Sequence, residues 1–175
     1  LECSKRRKEI LKSNPKSKER INLCTSQRVV RAQALSDPTH FAHFRIWSMV
    51  SAGQDEGNYV FEIECLRKHL HFYLQVFQSK KSSLIFSNIK VNITDLTNGI
   101  LEPKVKREIF NRLQNEFQSV SFVFDNERES GRGYYKNLCF KIQMDNSKGW
   151  TFPLTDGGFT DWTQQLMNNK KERKY

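Results

Sequence analysis

Residues 21–35, INLCTSQRVVRAQAL, and residues 43–52, HFRIWSMVSA, lie on either side of Ser36-Asp37-Pro38-Thr39. Both segments alternate loosely between apolar and polar residues and carry Val, Ile, Phe and Trp, the pattern of half-buried strands. Ser-Asp-Pro-Thr has turn chemistry, because Pro presets φ and Asp bonds to nearby backbone. Two strands joined by a turn make an antiparallel hairpin, and GQDEGN (53–58) supplies the next reversal.

From that hairpin the pattern extends toward residue 175. Ile63, Leu66, Leu70, Tyr73, Leu74 and Phe77 recur at helical spacing and predict a helix over 60–78. SLIFSNIKVNITDL (83–96) reads as a strand. A second helix starts near Pro103, with Val105, Ile109, Phe110, Leu113 and Phe117 on one face. Val120, Phe122 and Phe124 alternate in another strand, and NERESGRG (126–133) is a polar loop. Strands follow over 134–144 and near 150–154. Asp156-Gly157-Gly158 reads as a turn into a last helix over about 160–171. The order of elements predicts an α+β domain: an antiparallel β-sheet flanked by helices. Residues 1–20 read as a basic N-terminal helix broken at Asn14-Pro15, or as an arm dispensable for folding. Residues 21–175 read as a single domain.

The chain has 175 residues and a formal charge of +10. Residues 1–33 hold ten Lys or Arg against three Glu, and residues 168–175 hold four against one, so the two ends carry all of the excess. The stretch between is neutral. Basic ends attract nucleic acid by sequence-blind electrostatics, and Lys5, Arg6, Arg7, Lys8, Lys170 and Lys171 are the candidate contacts. No apolar run reaches the roughly 20 residues of a membrane helix. Cys3, Cys24, Cys65 and Cys139 have no zinc or redox spacing. With no signal-peptide pattern, an intracellular, reducing compartment, probably-cytosolic chains' usual setting, is expected. No metal-ligand cluster is evident, and GxxxxGK, GxSxG and HExxH are all absent.

Three segments resemble the catalytic core of class II aminoacyl-tRNA synthetases, with most likeness to the histidyl-type subgroup. Val29-Val30-Arg31-Ala32-Gln33, a loop over 34–43, and Phe44-Arg45-Ile46-Trp47 are similar to that class's second signature motif, with Gln33 where the family carries glutamate. Arg132-Gly133-Tyr134-Tyr135 before Leu138-Cys139-Phe140 resembles the subgroup's Arg-Gly-Leu-Asp-Tyr-Tyr segment. Asp156-Gly157-Gly158-Phe159-Thr160-Asp161 is similar to its Gly-Gly-Arg-Tyr-Asp turn, with Phe159 at the arginine. The resemblance spans about residues 21–167.

The resemblance implies an ATP-dependent adenylate-forming ligase that activates a carboxylate and passes it to tRNA or another acceptor, with ATP and Mg2+ as cofactors. It implies that Arg31 is the catalytic cation at the α-phosphate. ATP would be held by Arg31, Gln33, Phe44 and Arg45, and Tyr134, Tyr135, Gly157 and Gly158 would line the substrate pocket. A homodimer is the implied assembly, with no membrane partner. The alternative is a non-catalytic synthetase-like module that regulates or binds nucleic acid. The departures at Gln33 and Phe159, and Trp162 where glycine is usual, favour that alternative.

Overall fold

A computed structural model describes residues 1–32, 42–83 and 85–175. β1 (Ile21–Val30) and β2 (His43–Gln54) form the expected antiparallel hairpin, paired without a break from Ile21↔Ala52 to Val30↔His43. The first strand stops at Val30, five residues earlier than its pattern suggests. Gln33 and the Ser36–Thr39 turn lie outside the described residues. On the other edge of β2, the short β7 (Glu172–Lys174) pairs antiparallel with Ala52, Gly53 and Gln54. This strand has only three residues and no periodic signature, so the sequence reading absorbs it into the last helix.

The second sheet has the order β4-β3-β5-β6. Its strands are β3 (Phe86–Asp95), β4 (Ser121–Phe124), β5 (Lys136–Asn146) and β6 (Thr151–Phe159). The α+β class stands, but this sheet is mixed. β3 and β4 run parallel because a helical crossover separates them, whereas β3–β5 and β5–β6 are antiparallel. The crossover is α4 (Glu102–Val105), a π-helical turn (Lys106–Phe110) and α5 (Asn111–Glu116). Asp95 fixes its start, its carboxylate accepting from the Leu101 and Glu102 backbone N–H groups that a helix leaves unpaired. Gly157 and Gly158 lie inside β6 and not in a turn, which corrects the sequence reading. A single bridge, Thr160↔Lys174, joins the two sheets.

α2 (Val60–Phe77) covers one face of the strands, with Phe61, Leu66, Leu70 and Leu74 fully buried. Each such side chain contributes roughly 1.5–3 kcal/mol of burial. The core continues through Ile93, Leu138, Phe140 and Ile142 of β3 and β5 to Tyr175, whose ring lies 4.2 Å from Phe159 and 4.7 Å from His69. α3 (Lys80–Ser83) is a single turn after α2.

α1 (Glu2–Ser13) is a packed helix, which overturns the dispensable-arm reading of residues 1–20. Cys3, Ser4 and Arg7 are buried. The Arg7 guanidinium donates from Nε and Nη2 to the two Glu172 oxygens, both at 2.8 Å, and from Nη1 to the Glu19 carbonyl. Both side chains of the pair are wholly inaccessible to solvent. α6 (Trp162–Met167) ends at Asn168, whose φ of 49° is left-handed. It is shorter than the helix expected over 160–171.

Candidate functional site

A cavity of about 590 Å³ opens between β2 and β6. Arg31, Phe44 and Arg45 lie on its β1–β2 side, and Tyr134, Tyr135, Gly157 and Gly158 on its β5–β6 side. Segments more than a hundred residues apart are thus brought to one place.

Strand alternation sorts them onto two faces. Trp47 of β2 stacks on Phe72 of α2 at 5.0 Å, and Ser51 donates or accepts at 2.8 Å with Nε2 of His69, so odd-numbered residues of β2 face α2. Arg45 belongs to that set. Phe44 faces the opposite, open side. Val29 pairs with Phe44, and Arg31 stands two residues beyond Val29, so it shares the open face. Its guanidinium carbon sits 5.0 Å over the Phe44 ring, a cation–π contact. Among the described residues no carboxylate pairs with Arg31, whose side chain is exposed. The grouping of Arg45 with Arg31 and Phe44 is therefore corrected: Arg45 is on the α2 side of the strand.

On β5 and β6 the glycines exist for close approach. A Cβ on Gly157 would lie 2.5 Å from the Phe140 ring, and one on Gly158 would lie 2.6 Å from the Tyr135 ring and 2.7 Å from Cys139. Tyr135 therefore lies flat across Gly158 on the open face. Its hydroxyl donates to Asp156 Oδ1 at 2.7 Å. Burial, with that carboxylate beside it, holds the Tyr135 phenol well above the ordinary tyrosine value. Tyr134 is half exposed and meets Tyr135 edge-on at 5.1 Å.

Arg128 corrects a second reading, that of a solvated loop arginine. It is buried, donates from Nη2 to both Asp156 oxygens at 3.0 and 2.7 Å, and also donates to the carbonyls of Ser130 and Phe140. Asp156 thus arrives at the cavity already neutralised. Sequence reasoning also passes over Trp47, His69, Tyr73, Thr160 and Tyr175 in the cavity wall. Trp47, His69 and Tyr73 were readable from strand alternation and the α2 face, whereas nothing in the sequence marks Thr160 or Tyr175. Burial pushes the His69 pKa down to about 4, so its ring is neutral near pH 7.

The basic ends divide. Lys5, Arg6 and Lys8 are exposed on α1, and Arg6 pairs with Glu2 at 2.9 Å. Arg7 is removed from the nucleic-acid set, because its guanidinium is buried against Glu172. Lys170 and Lys171 are exposed in the turn after α6, the helix against which α1 packs. Among the described residues no group of three His, Cys, Asp or Glu side chains is arranged to hold a metal ion. No helix there is long and apolar enough to cross a membrane.

Among solved structures, the fold is similar to the apo histidyl-tRNA synthetase of S. aureus, with a TM-score of 0.56 and 18% sequence identity. The match covers 95% of this chain and 43% of that one, so the chain spans less than half the length of its neighbour. No protein-family model and no curated protein matches the sequence. At this identity the likeness establishes a synthetase-like fold.

Proposed function

We propose that this chain is the nucleotide-binding core of an ATP-dependent, adenylate-forming ligase of the class II synthetase type. The observation that carries the reading is the pairing of Arg31 with Phe44 on the open face, across the cavity from Tyr135 and Gly158. Adenylate formation builds negative charge at the α-phosphate as pyrophosphate departs. An exposed guanidinium with no carboxylate partner offers a planar donor fork to that charge. Phe44 offers a ring face for adenine once Arg31 swings from it to phosphate. The acyl group would lie toward Tyr134, Tyr135, Gly157 and Gly158, where the missing Cβ atoms leave the strand backbone approachable. Magnesium would enter on the phosphates, since Asp156 is already committed to Arg128.

A second reading is a synthetase-like module that binds nucleic acid without catalysis. Phe159 favours it: at the family's arginine position this chain has an apolar side chain, 2% exposed and packed on Phe61 and Tyr175. Lys5, Lys8, Lys170 and Lys171 would then supply the cationic surface, with tRNA or other nucleic acid as partner.

Calorimetric titration with magnesium-ATP tests the first reading. Saturable binding is expected, weakened about 10- to 150-fold by Arg31→Ala, as for a lost charge-assisted contact of about 1.5–3 kcal/mol. Phe44→Ala should weaken it as well. Absence of binding, together with salt-sensitive RNA binding that survives Arg31→Ala, would replace the ligase reading with the second.

A further inference from the structure

The cavity is bounded by two open strand edges. β2 pairs with β1 along one edge, but on the other it meets β7 only at Ala52–Gln54, extended by the reciprocal bonds between Ser51 and Tyr175 at 2.8 Å. From His43 to Val50 that edge has no strand partner among the described residues. β6 pairs with β5 on one side, and its outer edge touches β7 only through Thr160 and Lys174. At this closed end one strand, β7, fills the space between β2 and the end of β6. The two edges are therefore set about two strand spacings apart, roughly 9.6 Å. The lining supports this geometry. Tyr73 and His69 lie on the α2 side and Phe44, Tyr135 and Asp156 on the other, so the cavity passes through the plane of the sheet.

We propose that this gap is a strand-acceptor slot. Its occupant is an extended polypeptide segment joined directly to Tyr175, continuing β7 and antiparallel to both β2 and β6. Continuity selects this occupant, since β7 already enters the slot in the required direction and register. A second observation is independent of the backbone. The Tyr175 hydroxyl and the Thr160 hydroxyl both line the gap and are buried without a hydrogen-bond partner, and Tyr175 as a whole is 6% exposed. Buried hydroxyls seldom stay unpaired, and a chain laid beside them brings the missing polar groups. Alternation sets the chemistry of the occupant. Tyr175 faces α2, so every second residue after it meets Tyr73 and Phe140 and should be apolar. The residues between lie on the open face beside Phe44 and Gly158, so the strand would join the two halves of the site floor. The inference stands on backbone geometry and does not depend on nucleotide binding.

The experiment compares three proteins: the 175-residue chain, the same chain extended after Tyr175 by Thr-Val-Thr-Val-Thr-Val, and that extension with its third residue replaced by proline. The readout is amide hydrogen exchange at Trp47, Met49, Asp156 and Gly158. Alternation from the Ser51 and Thr160 N–H groups aims these four amides into the gap. Exchange is expected to be fast in the unextended chain, at least tenfold slower with the alternating extension, and fast again with proline. The proposal is overturned if the four amides are already slow in the unextended chain, or if the extension leaves their rates unchanged. It is also overturned if the proline version protects as well, if only a free peptide of the same sequence protects, or if magnesium-ATP protects them while the extension does not.

Discussion

Arg7→Met is the change with the largest expected effect outside the cavity. Arg7 makes four hydrogen bonds through its guanidinium: two to the Glu172 carboxylate, one to the Glu19 carbonyl and one to the Ser17 carbonyl. Methionine keeps most of the aliphatic volume and removes the charge. Glu172 is then left as a buried carboxylate without its partner, a situation that costs about 3–5 kcal/mol. For a chain of this size each kcal/mol lowers Tm by about 2–4 °C, so the drop should be about 6–20 °C. Urea titration followed by far-ultraviolet circular dichroism measures it directly. Arg7→Met/Glu172→Met should regain a large part of the loss, because no buried charge remains. Deleting residues 1–18 should cost at least as much as Arg7→Met. A single variant within about 1 kcal/mol of the parent, or two substitutions that add without coupling, would refute the view that this pair anchors α1.

Three further outcomes follow from the cavity walls. His69 is neutral in both states above about pH 7. Below pH 6.5 the unfolded chain takes up a proton that the fold refuses until about pH 4, so stability should fall across that window by up to about 3 kcal/mol. His69→Gln should flatten that part of a urea-midpoint profile against pH. Gly158→Ala and Gly157→Ala should each cost about 1–3 kcal/mol in chemical denaturation, since the added methyl meets the Tyr135 or Phe140 ring at 2.5–2.6 Å. Asp156→Asn should lower the Tyr135 phenol pKa, read as a phenolate absorbance titration. The value should remain above that of a free tyrosine, because burial is the larger cause of the shift.

Much of this molecule is legible in the sequence wherever a side-chain period runs long enough. α2 and the β1–β2 hairpin follow directly from periods of 3.6 and 2. The presence of Arg31, Phe44, Tyr135 and Gly158 around one cavity follows from motif spacing, which carries tertiary information that periodicity lacks. Arg45 was misgrouped because neighbours in a strand point to opposite faces, however close they stand in a motif. Arg7 and Arg128 were misread for one shared reason. Composition counts charges, while burial depends on a carboxylate more than twenty-five residues away, Glu172 for one and Asp156 for the other. Gly157-Gly158 has the composition of a turn, and only the rings of Phe140 and Tyr135 above it disclose a strand under close contact. The parallel β3–β4 pair depends on the route of the crossover, which hydrophobic pattern does not encode.

The two sheets also differ in when their chain segments become available to one another. The four-stranded sheet draws on the continuous stretch from Phe86 to Phe159, and β1–β2 is a local hairpin. The bond between the sheets relies instead on β7 crossing from the far end of the sequence, locked by a contact between residues 7 and 172. Closing so long a loop is entropically expensive until both partners are already ordered. That junction therefore belongs to the final, native side of the folding barrier. Weakening it should leave the refolding rate nearly unchanged and quicken unfolding, so the lifetime of the native state is set at the seam between the sheets.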